Sequence, residues 1–425
     1  MHREAAERYA VLAAELAAII AEAQQALVGA GDTEIRFNAA PHRRSGVPAF
    51  GALAAGEVAA VEPAGRTVLS RLAESSEDGD GWLLENDRLR VVIGADGLFE
   101  SVYDVRQNRE VLAGPGNLFQ LHPDFPNDWD AWDVDSFYRN TAVDLSAADS
   151  IEQVDAETLL IKRSFGDSTL EELVSLRSGA GQVDLKVSVD WHEKEKFLKL
   201  SFPLDVQAER SSAEIQFGHV HRPTHANTSW DAAKFEICAH RWVQVEEPGY
   251  GVAVVNSATY GHDVSSSARS SADAAAGTTV RLSVLRAPRF PDPGTDQGRH
   301  VLDYALVPGA SVVDAVAAGY AINLPERVLH GAQGVGPLLA VDHDAVVIAS
   351  VKLAEDRSGD LVARIYEAGG GRAAATLRAD FEYLEVQETD LLERPIQPKA
   401  VRGTADGVRL ELRPFQLLTL RFRRS

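Results

Sequence analysis

Three stretches of this chain concentrate side chains capable of chemistry. Residues 123–135 read PDFPNDWDAWDVD, which places Trp129, Trp132 and five aspartates, Asp130 and Asp133 among them, within thirteen residues. A sugar presents an apolar C–H face beside rows of hydroxyls. A flat aromatic ring packs on the face, and carboxylates accept from the hydroxyls. Paired carboxylates also serve as acid and base in glycoside hydrolysis. The plainer alternative is an irregular loop with one tryptophan in the core and the aspartates in water. Residues 217–231 read FGHVHRPTHANTSWD. His219 and His221 share one side of a strand, with His225 nearby, a spacing able to hold zinc. No fourth ligand is evident, so three ordinary histidines in a polar loop is the better reading and no metal ligand is assigned. Residues 286–300, RAPRFPDPGTDQGRH, directly follow a strand. Prolines and glycines fix a loop from which Arg286, Asp292, Asp296 and His300 project, either toward a ligand or into surface ion pairs. The chain has no phosphate-cradling GxxxxGK[ST], no GxSxG elbow and no HExxH zinc helix.

The elements that must position these residues are strands. Only the first segment is helical: Tyr9, Leu12, Leu16, Ile19, Ile20, Ala23 and Leu27 recur at three- and four-residue steps until Gly29 and Gly31. Such a stripe cannot bury itself. It predicts docking on another element or a homo-oligomer through Tyr9, Leu12, Leu16 and Ile19. Beyond it the pattern is alternating. Residues 89–93 and 99–105 flank Asp96-Gly97, a hairpin signal. Val183, Leu185, Val187, Val189 and Trp191 alternate with polar residues, as in a strand with one buried face. Further strands are expected at 34–38, 159–165, 197–202, 251–256, 279–285, 345–353, 361–367, 381–386 and 415–422. Residues 74–81 read as a polar linker and 265–277 as a surface loop. The result is a mainly β, multi-sandwich chain preceded by one α-helix. Its expected divisions are a helix at 1–30, a small β-module and linker at 31–80, a central β-supersandwich at 81–325 and a C-terminal β-sandwich at 326–425. An α/β barrel needs strands alternating with helices over roughly 200 residues, and nothing here does so.

Acidic residues outnumber basic ones, 63 to 42, for a net charge of −21. That balance excludes a polyphosphate partner, which needs clustered Lys and Arg, and so argues against nucleic acid and anionic membranes. The one cysteine, Cys238, permits no internal disulfide, and a cytoplasmic location is the simplest expectation. The first 27 residues carry too many charges for a secretory signal, and no run approaches the roughly 18 uninterrupted apolar residues of a membrane span.

Taken in order, several of these stretches resemble the C-terminal half of glycoside hydrolase family 38 α-mannosidases of the bacterial and cytosolic type. They are WLLEN at 82–86, NDWDAWD at 127–133, RPTH at 222–225, NTSWD at 227–231, AHRW at 239–242, and LRAP at 285–288 running to DQGRH at 296–300. The opening helix looks like the last of that family's three-helix bundle. The resemblance implies hydrolysis of terminal α-D-mannosides, with mannosides or mannose-containing glycans as partners. It also implies that the nucleophile and a zinc ion belong to an N-terminal catalytic barrel. None of those residues is in this chain, so no catalytic residue, metal ligand or cofactor is assigned to it. By resemblance, Trp129, Asp130, Trp132, Asp133 and Arg286 complete the sugar pocket, with Asp292, Asp296 and His300 as weaker contributors. The isolated chain is then expected to be inactive, with the barrel as its missing partner. The family's large β-domain is also similar to the sandwich of aldose mutarotases. That leaves two alternatives: an epimerase using His225 or His300 with Asp130, and a non-catalytic carbohydrate-binding or assembly module.

Overall fold

A computed structural model describes residues 2–57, 65–72, 80–267, 277–397, 401–404 and 406–424. The expected linker, except its last two residues, and residues 268–276 of the expected surface loop lie outside them. The chain is mainly β, with 49% of it in strands, and it divides into two compact units.

One unit comprises Ala64–Asn323 with Ala368–Gly370. It contains a nine-stranded antiparallel sheet running from the Ser150–Gln153 strand at one edge to Gly218–Pro223 at the other, a six-stranded sheet and a five-stranded sheet. The predicted alternation is realised in the Val183–Trp191 strand, whose odd-numbered side chains are buried and whose even-numbered ones are not. Val183, Leu185, Val187 and Val189 meet Leu198, Leu200, Phe202 and Leu204 of the six-stranded sheet in one core, together with Leu84, Val91 and Phe99 of the five-stranded sheet. The hairpin of Leu89–Gly94 and Phe99–Asp104 forms as predicted. Gly97 is required at its turn: φ is +83°, and a Cβ there would lie 2.7 Å from Arg163 Nη2. That guanidinium is itself buried. It donates to the carbonyls of Asp96 and Leu145 at 3.1 Å each and lies 3.7 Å from fully buried Glu172.

The same unit holds a second helix, Val312–Asn323, that periodicity did not reveal. Ala315, Val316, Ala318 and Gly319 are buried and the sequence is apolar nearly all round, so no amphipathic stripe marks it. Its start was legible in another way: Ser311 and Asp314 form a reciprocal capping box, with Ser311 N–H donating to Asp314 Oδ2 at 2.9 Å and Asp314 N–H to Ser311 Oγ at 3.3 Å.

The other unit comprises Met1–Pro63, Leu324–Glu367 and Gly371–Ser425. Thr33–Asn38 pairs with both Gly51–Ala54 and Arg327–Gly331. Two four-stranded sheets enclose a second core of Ile348, Ala363, Ile365, Leu377, Leu410 and Leu420. The strand expected at 381–386 begins only at Glu385. Phe381 and Tyr383 instead turn their rings edge-on to Phe422 at 5.5 and 5.3 Å, so their apolarity reflects aromatic packing rather than strand alternation.

The first helix, His2–Val28, has Val28 as its buried residue; Tyr9, Leu12, Leu16 and Ile19 are exposed. It ends where Gly29 takes φ +69°. By length and composition it is long enough and apolar enough to cross a membrane. The sequence reading sought an uninterrupted apolar run, which Glu15 and Glu22 break, although Leu16, Ile19, Ile20 and the alanines around them keep the segment apolar on average.

Candidate functional site

Of the expected site residues, Arg286 and the segment carrying Trp129, Asp130, Trp132 and Asp133 adjoin strands of the six-stranded sheet, whereas His300 lies on a strand of the nine-stranded sheet. In the Lys196–Leu204 strand, the side chains alternating with the core set are Phe197, Lys199 and Ser201, and these are buried too. Phe197 lies opposite His122 on one side and Arg286 on the other. Two loops leave this face, 124–135 and 287–297, and side chains bind them together. Arg286 donates from Nε to Asp124 Oδ2 at 2.8 Å and from Nη2 to the Asp130 carbonyl at 3.0 Å. Asp130 in turn accepts the backbone N–H groups of Arg289 and Phe290 at 2.7 and 2.9 Å. Arg286 and Asp130 are therefore brought together as a latch between loops. Burial pushes the Asp124 carboxyl above its usual range, against the pull of Arg286. Replacing Arg286 with Met leaves that buried carboxylate without its cation. The expected cost is on the order of 3 kcal/mol in urea unfolding of this unit, partly recovered by adding Asp124→Asn; a loss under about 0.5 kcal/mol means that the latch does not anchor the loops.

The latch leaves the aromatic rings outside. Trp129 is 72% exposed, Trp132 67% and Phe290 66%. Trp129 sits at φ +58°, a left-handed conformation costly for a bulky residue. It is held there by the N–H groups of Trp132 and Asp133, which donate to its carbonyl at 2.7 and 2.9 Å. Exposed aromatic side chains on a backbone over-determined by hydrogen bonds are suited to packing on a flat apolar ligand face. The remaining candidates serve their own loops. Asp133 Oδ1 accepts from Val134 N–H at 2.8 Å, and Asp292 Oδ1 from Gly294 N–H at 2.9 Å. His300 Nε2 lies 2.7 Å from the carbonyl of Asp296. The rings of His219 and His221 meet edge-to-face with centroids 5.1 Å apart, in keeping with their shared strand face. Among the described residues no group of three or more His, Cys, Asp or Glu is placed to hold a metal ion.

Residues 84–294 match the family described as "Glycosyl hydrolases family 38 C-terminal domain", and residues 345–420 match "Glycosyl hydrolases family 38 C-terminal beta sandwich domain". The chain belongs to glycoside hydrolase family 38. "Alpha-mannosidase 2C1" of Homo sapiens is 36% identical over 363 residues, covering 81% of this chain and 34% of that protein. "Alpha-mannosidase" of Saccharomyces cerevisiae is 28% identical over 392 residues, covering 80% and 35%. The chain thus spans about a third of the length of the curated relatives it matches. The crystal structure of an α-mannosidase from Enterococcus faecalis superimposes with a TM-score of 0.62 over 93% of this chain and 51% of that chain, at 14% identity, so the two share a fold. The six-stranded sheet and the segments beside it carry one cluster that sequence reasoning missed. Lys199, Tyr138, Glu236 and Asp263 converge beside Phe197, and their partners lie 37 to 125 residues apart. The available signal was a single lysine amid Phe197, Leu198, Leu200 and Phe202.

Proposed function

We propose that this chain is the β-domain part of an α-mannosidase, and that its loop at 125–135 packs Trp129 and Trp132 against the sugar while a separate α/β barrel supplies the catalytic carboxylates and the zinc. The observation that carries this reading is the exposure of both tryptophans on a loop fixed at Asp124 and Asp130 in a family 38 C-terminal domain. The described residues do not fit a zinc ion, so no step through zinc is assigned to this chain. Arg286 and Asp130 act in this reading by shaping the loop, Arg286 through Asp124 and the Asp130 carbonyl and Asp130 through the N–H groups of Arg289 and Phe290.

Titration of the chain with methyl α-D-mannoside, followed by tryptophan fluorescence, tests this. Saturable, weak quenching is expected. Trp129→Ala or Trp132→Ala should each weaken it about ten-fold, the equivalent of one lost ring contact. Quenching that survives both substitutions unchanged would place the sugar elsewhere.

A further inference from the structure

The cluster around Lys199 lies at the far ends of the segments that carry exposed tryptophans. The loop bearing Trp129 and Trp132 runs into the 3-10 turn Ser136–Asn140, which contains Tyr138 and Arg139. Trp230, 80% exposed, opens the short helix Ser229–Ala232, and Glu236 follows it. The Lys199 side chain is fully buried, and its ammonium reaches three acceptors: Asp263 Oδ2 at 2.6 Å, Ser283 Oγ at 3.1 Å and Glu236 Oε1. Glu236 also accepts from the Tyr138 hydroxyl and, through Oε2, from Ser283 Oγ at 3.0 Å. Asp263 Oδ1 accepts from Arg281 at 2.9 Å and Arg139 at 3.5 Å. Tyr138 completes the arrangement, its ring tilted against that of Phe197 with centroids 5.1 Å apart.

Burying an ammonium is costly unless every N–H finds an acceptor, and an apolar side chain of similar size fills such a space at lower cost. Stability alone therefore does not call for a lysine here. What the lysine adds is direction: three fixed acceptors, one of which, Glu236, lies on one loop segment and accepts the hydroxyl of Tyr138 from the other. Burial pushes the Asp263 carboxyl up, but Lys199, Arg281 and Arg139 together outweigh that and hold it below the usual carboxylate range. Asp263 thus stays a charged anchor on its strand, and the two segments are tied to it.

We propose that Lys199 is a positioning residue: its buried ammonium fixes the end of the Trp129–Trp132 loop and the end of the Trp230 segment together, so that both are presented in one arrangement to a saccharide. This rests on the saccharide reading above, but the coupling of the two segments does not depend on any ligand. Hydrogen exchange of the 425-residue chain, read by mass spectrometry, separates the two ideas. Lys199→Met should speed exchange ten-fold or more in peptides spanning 125–142 and 229–238 together, with the Val183–Trp191 strand unchanged, and should weaken methyl α-mannoside quenching in parallel. Should that variant not fold, Glu236→Gln keeps an acceptor oxygen for Tyr138 while removing the charge opposite Lys199; the same paired loosening is expected. Loosening of one segment alone, a uniform rise across the unit, or no change overturns the proposal. Paired loosening in a chain whose wild type shows no response to mannoside leaves the positioning role standing and removes the saccharide reading.

Discussion

Incubated with a chromogenic α-mannoside, with or without added zinc, the 425-residue chain is expected to release no product above the uncatalysed rate. Enzymes of this class owe rate enhancements of at least about 10⁶ to groups held at the reacting bond. A retaining glycosidase needs two carboxyl groups roughly 5 Å apart, one as nucleophile and one as acid and base. Four of the five aspartates in the loop at 123–135 are tied into hydrogen bonding within the protein. Asp124 is held by Arg286, Asp130 by two backbone N–H groups, Asp133 by Val134 and Asp135 by the N–H of Asn127. Those bonds hold the backbone around the tryptophans in shape; the reacting pair is proposed to come from the barrel. Supplying the barrel portion of a family 38 enzyme should restore turnover. Turnover by the chain alone that disappears on Asp130→Ala or Asp133→Ala would mean that it carries its own catalytic pair, and the proposed division of labour would be wrong.

The unit containing Glu172 should lose stability as pH rises from about 5 to 8, and Glu172→Gln should remove most of that loss. Glu172 is fully buried beside Arg163 and accepts from Asn117 Nδ2 at 2.8 Å. Burial pushes its carboxyl up to about 7, with Arg163 and Asn117 only partly opposing it. An unfolded glutamate titrates near 4.5. The native state therefore holds the extra proton between those values. The associated stability is complete below about 4.5, declines as pH climbs through the window, and is gone above about 7, a change on the order of 3 kcal/mol. Because glutamine resembles the protonated acid and leaves Arg163 in the same surroundings, the variant should match the wild type near pH 5 and exceed its stability at pH 8. Urea unfolding at the two pH values reads this directly. A variant less stable by the same amount at both would show that Glu172 is ionised throughout and paired with Arg163.

What the sequence disclosed of this protein was whatever is encoded locally. The Val183–Trp191 alternation and the Asp96-Gly97 turn are properties of consecutive residues, so strands and hairpin were readable. The cluster of Trp129, Trp132 and the aspartates was visible as composition, but its use was not. That Asp130 accepts from residues 289 and 290, and that Arg286 reaches back to Asp124, depends on pairings across more than 150 positions. Lys199 was less legible still: the strand expected at 197–202 buries both of its faces, and nothing local says that the second burial is ionic. The Val312–Asn323 helix escaped for the opposite reason, since its apolar residues surround it and leave no stripe to detect.

The division of the chain also sets an order of assembly. The unit that opens with the first helix is interrupted by roughly 260 residues belonging to the other unit before it resumes at Leu324. Thr33–Asn38 cannot complete its sheet until Arg327–Gly331 exists, whereas the inserted unit carries nearly all of its own strands within one continuous stretch. On a ribosome the inserted unit can fold while the segment before it still waits for its partner strand. Such non-local closure is intrinsically slow. Nascent chains that have emerged as far as about residue 323 should therefore hold a folded interior and a first strand that lacks one of its two partners, a state in which Ile35 and Ala52 have yet to meet Leu329 and Val335.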